Sequence, residues 1–208
     1  MRTFDLMKKF LLFATLAAAS GGSAPSRQTT KHVMRFLTPT EWPRWVHRSQ
    51  HSVARCWLDS PGHPSGAFAH CRSQVSSRLG AKVSLARYLF SLVAKEDETL
   101  LLVDDWAVWP SSQHMPLFTR FRESLGERRP LIEAPGHLVT PSETDDALSI
   151  ISTALLFIWD CYGISSSGRD AFYFSHDEYC YFASRDAEVA AEVQKTETSH
   201  KDAATPNV

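Results

Sequence analysis

Phe172 to Phe182 reads FYFSHDEYCYF, two aromatic runs on either side of Ser175-His176-Asp177-Glu178. Aromatic residues suit the pleated, half-buried surface of a strand, and a short polar stretch between two such runs is where a chain turns back on itself. Asp tolerates the conformations a turn imposes. The stretch therefore reads as a β-hairpin, with Ala171–Phe174 and Tyr179–Phe182 as its strands and Ser175–Glu178 as its turn.

His, Asp and Glu are also the residue types used for proton transfer and metal ligation. Neighbouring side chains in an extended chain point to opposite faces, so three consecutive residues cannot converge on one atom without help from elsewhere. Asp160, on the preceding strand, and His137, in the EAPGHL loop, are the available helpers. The candidate catalytic set is thus His176, Asp177, Glu178, His137 and Asp160, in the manner of a metal-assisted hydrolase. No helical His-x-x-x-His supports a metal site, and no Gly-x-Ser-x-Gly elbow supports a nucleophile.

Upstream of the hairpin, FIWDCYGI (157–164) is a further strand, joined to it by the turn SSSGR (165–169). Before that lies the best-marked helix of the chain. Thr140 is placed to cap it, Pro141 suits its first position, and Glu143 stands where a carboxylate reaches back to the cap amide. Asp145 and Asp146 complement the positive end of the helix dipole. Ala147, Ile150, Ile151, Ala154, Leu155 and Ile158 then recur at helical spacing. The similar TPTE at Thr38 begins a shorter helix with Trp42, Trp45 and Val46 on one face, with Thr40 as its cap so that Pro43 falls in the first turn.

Two more helices are marked by Leu85, Leu89, Leu92 and Val93, and by Leu117, Phe118, Phe121 and Leu125. The second starts at Ser112, stops at Gly126, and keeps Arg120, Arg122 and Glu123 outside. Thr99–Trp109 reads as a strand bulged at Asp104-Asp105, and Arg185–Val193 as a last helix. The order β, α, α, β, β, β, α, after one or two N-terminal helices, predicts an α+β two-layer domain. Its antiparallel sheet carries a C-terminal three-strand meander, with helices packed mainly on one face.

With helices on one face only, strand aromatics must populate the other. Trp106, Trp109, Tyr173, Tyr179 and Tyr181, with the acidic Asp177 and Glu178 beside them, form the expected contact surface for a protein partner, since Trp and Tyr are favoured at binding hot spots. A helix over that face, such as the Trp42-Trp45 one, would make them core instead. The leading expectation is a small non-enzymatic interaction domain, of the inhibitor or immunity type by analogy of shape. It needs no cofactor.

Other features bound these readings. The 208 residues, 43% hydrophobic and with a net charge of -1, suit one globular core and give no electrostatic footprint for nucleic acid. Residues 1–33 combine Lys8 and Lys9, an apolar run from Phe10 to Ala19 and a small polar linker. This is the layout of a signal peptide, and the run is too short to span a bilayer. Export to the periplasm is one expectation; a cytoplasmic protein starting at Met34 is the other. The folded part is 34–194, with a polar tail at 195–208.

Among the cysteines, Cys56 with Cys71 and Cys161 with Cys180 are the pairings to test if the chain is exported. Cys56, His63, His70 and Cys71 have ligand types suited to zinc but not the spacing of paired knuckles. The loop Arg128–Pro141 delivers the chain to a helix N-terminus, an anion-attracting position that Thr140 and Glu143 are expected to satisfy.

Overall fold

The computed structural model describes residues 34–48, 69–95 and 98–202. The signal-like segment, Cys56, His63 and the end of the tail lie outside them. The hairpin forms as expected. Strands β6 (Asp170–Phe174) and β7 (Tyr179–Ser184) pair antiparallel, with Phe172 opposite Phe182 and Tyr173 opposite Tyr181. In the turn, the Glu178 amide donates to the Ser175 carbonyl (2.9 Å) and the Ser175 amide to the Tyr179 carbonyl (2.8 Å).

Five further strands extend this hairpin: β1 (Arg35–Leu37), β2 (Ala69–Gln74), β3 (Thr99–Asp104), β4 (Gly136–Val139) and β5 (Asp160–Ser165). The seven-stranded sheet has the order β1-β4-β3-β5-β6-β7-β2, and every pairing is antiparallel. The helices are α1 (Trp42–Arg48), α2 (Leu79–Val93), α3 (Met115–Ser124), α4 (Thr144–Phe157) and α5 (Ala187–Asp202). The fold is the α+β arrangement that the sequence predicts, with β5–β7 as the meander.

Strand periodicity divides the core into two layers. On one face Leu101, Val103, Cys161, Phe172, Phe174, Cys180 and Phe182 pack against Leu89 and Phe90 of α2, Phe118 of α3, Ile150, Ile151 and Leu155 of α4 and Val193 of α5. Here Phe172 needs a partner without a side chain: a Cβ on Gly163, directly opposite it, would lie 2.2 Å from the ring. On the other face Leu100, Leu102, Leu138, Tyr162, Ile164, Tyr173 and Ala183 cluster with Val46 of α1, and Trp42, Trp45 and Tyr181 pack at the margin. The expected open aromatic face is therefore a second core layer. Tyr173 is only 3% exposed, and the Val46 side of α1 lies over it.

Both Thr-Pro-x-Glu stretches start helices in the same way. The Glu41 carboxylate accepts from the amide (2.8 Å) and hydroxyl (2.9 Å) of Thr38, and the Glu143 carboxylate accepts from those of Thr140 (2.9 Å each). The residue performing this role for α1 is thus Thr38, not Thr40. At the second site a single 3-10 turn, Pro141–Glu143, precedes α4.

Several boundaries differ from the sequence reading. The chain leaves the sheet at Asp105, whose φ of 41° turns it aside, so Trp106 and Trp109 are not on a strand and no bulge forms. His137 lies in strand β4 instead of a loop, and Arg122 is buried (1% exposed) instead of facing out. α5 continues to Asp202, beyond the expected end of the folded part. Cys161 is a free, buried thiol, so the 161–180 disulfide is not formed. His70 is exposed and its neighbour Cys71 buried, on opposite faces of β2, which leaves them no common ligand position. Among the described residues no helix is long and apolar enough to cross a membrane.

Candidate functional site

Antiparallel pairing brings the end of β3, the start of β5 and the β6–β7 turn to one end of the sheet. Asp160, the first residue of β5, lies opposite Asp104, the last residue of β3, and is 4% exposed. A buried carboxylate is costly unless its lone pairs are used, and all the donors here come from the hairpin. Oδ1 accepts from the backbone amide of His176 (2.6 Å) and from its ring Nδ1 (2.8 Å), and Oδ2 accepts from the Tyr173 hydroxyl (2.8 Å). With Asp160 ionised, the proton on His176 resides on Nδ1, which leaves Nε2 facing the Asp177 carboxylate at 3.9 Å.

Charge accumulates around this imidazole. Burial alone would lower its pKa, but the Asp160 hydrogen bond and the charges of Asp160, Asp177 and Asp105 outweigh it and hold His176 above the usual histidine value. Burial raises the Asp160 carboxyl, and its hydrogen bonds to His176 and Tyr173 pull it only part of the way back. Asp105, Asp160 and His176 each offer a ligand atom, and these atoms all lie within 4.8 Å of one another.

The backbone around the site is unusual. Asp105, Ile158 and Glu178 are the non-glycine residues with positive φ among those described, at 41°, 57° and 61°. They directly follow β3, closely precede β5 and directly precede β7, all at this end of the sheet. Such conformations cost on the order of 1–2 kcal/mol per residue and persist where surrounding contacts over-determine them. Glu178 is held by Lys82, whose buried ammonium donates to its carboxylate (3.3 Å) and to the Leu155 carbonyl (3.1 Å). Trp109 reaches over from the segment after Asp105 and donates its indole N–H to the His176 carbonyl (3.1 Å), with 46% of the residue still exposed.

The candidates from sequence thus separate. Asp160, His176 and Asp177 come together, with Glu178 on the same turn and Trp109 hydrogen-bonded to it. His137 does not join them. It is fully buried beside the Phe36 and Phe118 rings, its Nδ1 3.4 Å from the Leu101 carbonyl. Burial and then the Arg122 charge lower its pKa to about 3, so it is neutral at pH 7. Trp106 packs partly buried against the helix-side core. Tyr173 stacks between Tyr162 (4.4 Å) and Tyr181 (5.5 Å), and the Arg72 guanidinium lies over Tyr179 (3.7 Å), so these rings form a ladder along the sheet. Asp105 is the residue that the sequence reading missed. Its one signal is Asp-Asp at the end of an apolar run, which fits a turn as well as it fits a bulge. No protein-family model matches this chain, and no curated protein or solved structure matches it significantly.

Proposed function

We propose that the protein is a non-enzymatic interaction domain, of the inhibitor or immunity type, that docks a protein partner on the Val108–Trp109 end of its sheet. The observation that carries this reading is Trp109: a large aromatic side chain, nearly half exposed, pinned through its N–H to the His176 carbonyl. Val108 beside it is equally exposed at 46%, and Asp105 and Asp177 are on the rim. A rigid, half-exposed Trp surrounded by polar groups is the composition of a binding hot spot. The contact surface of this proposal is therefore smaller than an open sheet face and lies at its edge.

The test is a photo-crosslinking residue in place of Val108 in the full chain, followed by affinity measurement with the protein captured. Trp109→Ala should weaken that complex about thirtyfold or more, the cost of removing a hot-spot residue. An affinity indifferent to Trp109→Ala would sink the reading.

A second reading, metal-assisted hydrolysis, is favoured by the convergence of Asp105, Asp160 and His176. A divalent cation would replace the proton between His176 and Asp160 and keep positions open for a water, whose pKa it would lower. Thermal melts with EDTA and with added zinc, manganese or magnesium test it. Stabilisation by one metal that is lost in His176→Ala and Asp105→Asn supports the reading, because a ligand of the folded state alone raises apparent stability. Melts unmoved by every metal count against it.

A further inference from the structure

Asp105 and Asp177 present carboxylates around His176 from two different segments, with the buried Asp160 behind it. Asp104 adds a third exposed carboxylate at the end of β3. Among the described residues the nearby cations are engaged elsewhere: Lys82 pairs with Glu178, and Arg72 lies over Tyr179. Among the described residues no lysine or arginine forms a salt bridge with Asp104, Asp105 or Asp177. Trp109, nearly half exposed, is anchored to the same turn through its N–H on the His176 carbonyl, and an indole is the best aromatic acceptor for a cation.

We propose that the partner's contact group is a basic side chain, an arginine or lysine, received between the Trp109 ring and the carboxylates of Asp105 and Asp177. This rests on the docking reading above and gives it a partner chemistry, a basic protein surface. A guanidinium suits the notch better than an ammonium. It is planar, stacks on indole and offers several donors to carboxylates on either side. The charge complementarity also speeds encounter, and salt weakens it.

The experiment uses the full chain labelled with nitrogen-15, with the Trp109 indole N–H signal assigned through Trp109→Phe. Hexa-arginine, hexa-glutamate, a neutral Leu-Ser hexapeptide and zinc are titrated separately. Hexa-arginine is expected to shift the indole signal. Its affinity should fall about tenfold in the Asp105→Asn, Asp177→Asn double variant, and should fall again as salt is raised. The thermal melt of the double variant is compared with wild type, and the single variants serve if it fails to fold. A response to hexa-arginine that the variants leave unchanged overturns the proposal. A shift with hexa-glutamate or the neutral peptide but not hexa-arginine overturns it while the docking reading stands. A shift with zinc alone transfers the site to the metal reading, and no shift with any probe overturns the basic-partner proposal, while the docking reading falls only if the affinity for the captured protein is indifferent to Trp109→Ala.

Discussion

Asp160 accepts two hydrogen bonds from His176 and one from Tyr173, and every one of these bonds ties the start of β5 to the neighbouring hairpin. Asp160→Ala should therefore destabilise the fold by about 2–4 kcal/mol in urea unfolding, since it leaves buried donors unmatched, whereas Tyr173→Phe should cost only about 1 kcal/mol. Gly163→Ala is expected to cost about 1–3 kcal/mol by driving a methyl into the Phe172 ring, with part of the loss recovered in a Gly163→Ala, Phe172→Leu double variant. At this scale the sequence was readable where a residue acts through its neighbours in the chain. The SHDE turn and the Glu143 reach-back follow from local spacing. The joining of Asp160 to His176 could only be offered as a pairing, because it depends on which strands lie side by side. His137 shows the same limit from the other direction: its chemistry made it a candidate, and the register of β4 buried it among Phe36 and Phe118.

Helix starts carry more local information than short strands. Glu143→Ala should lower stability by about 1 kcal/mol, measured by thermal unfolding, as it removes the acceptor for the Thr140 amide and hydroxyl, and Glu41→Ala, at an exposed residue, should lower the melting temperature by less. At the other end of α4, Ile158 occupies the left-handed region that glycine accepts without strain, and the Trp159 amide closes the helix on the Ala154 carbonyl (2.9 Å). Ile158→Gly should raise stability by about 1 kcal/mol if relief of the backbone outweighs the lost contacts, which the same melts read directly. The elements missed from sequence, β1, β2 and β4, share a physical cause. β1 has three residues and β4 four, too few for a period to declare itself, and β2, AHCRSQ, alternates polar residues with only Cys71 as a buried apolar side chain. The Trp109 segment reads as a strand because its composition favours one. The left-handed backbone of Asp105 overrides that preference.

Two histidines give the whole molecule opposing responses to pH. Below about 6.5 the unfolded chain protonates His137 while the folded chain resists it down to about 3, so stability should fall with acidification, by at most about 1.4 kcal/mol per pH unit. His176 works the other way. Its raised folded value contributes stability that is full below 6.5 and is lost as pH rises through that value. The raised Asp160 carboxyl likewise favours the folded state in acid and offsets part of the His137 slope. Stability should therefore peak near the ordinary histidine range in urea titrations across pH 4–9. His137→Leu should flatten the acid limb, and His176→Gln the alkaline one.

The strand order also governs when the molecule can be completed. Both margins of the sheet are early parts of the chain, and each waits for a late one: Arg35 pairs with Leu138, and Ala69 with Ser184. During synthesis β1 and β2 emerge long before the strands that receive them, while the β5–β7 meander can close on itself as soon as it leaves the ribosome. Assembly by such distant pairings is intrinsically slow. A growing chain halted before Tyr179 would present β2 without a template, so β2 finds its place only once the second strand of the β6–β7 hairpin has been made.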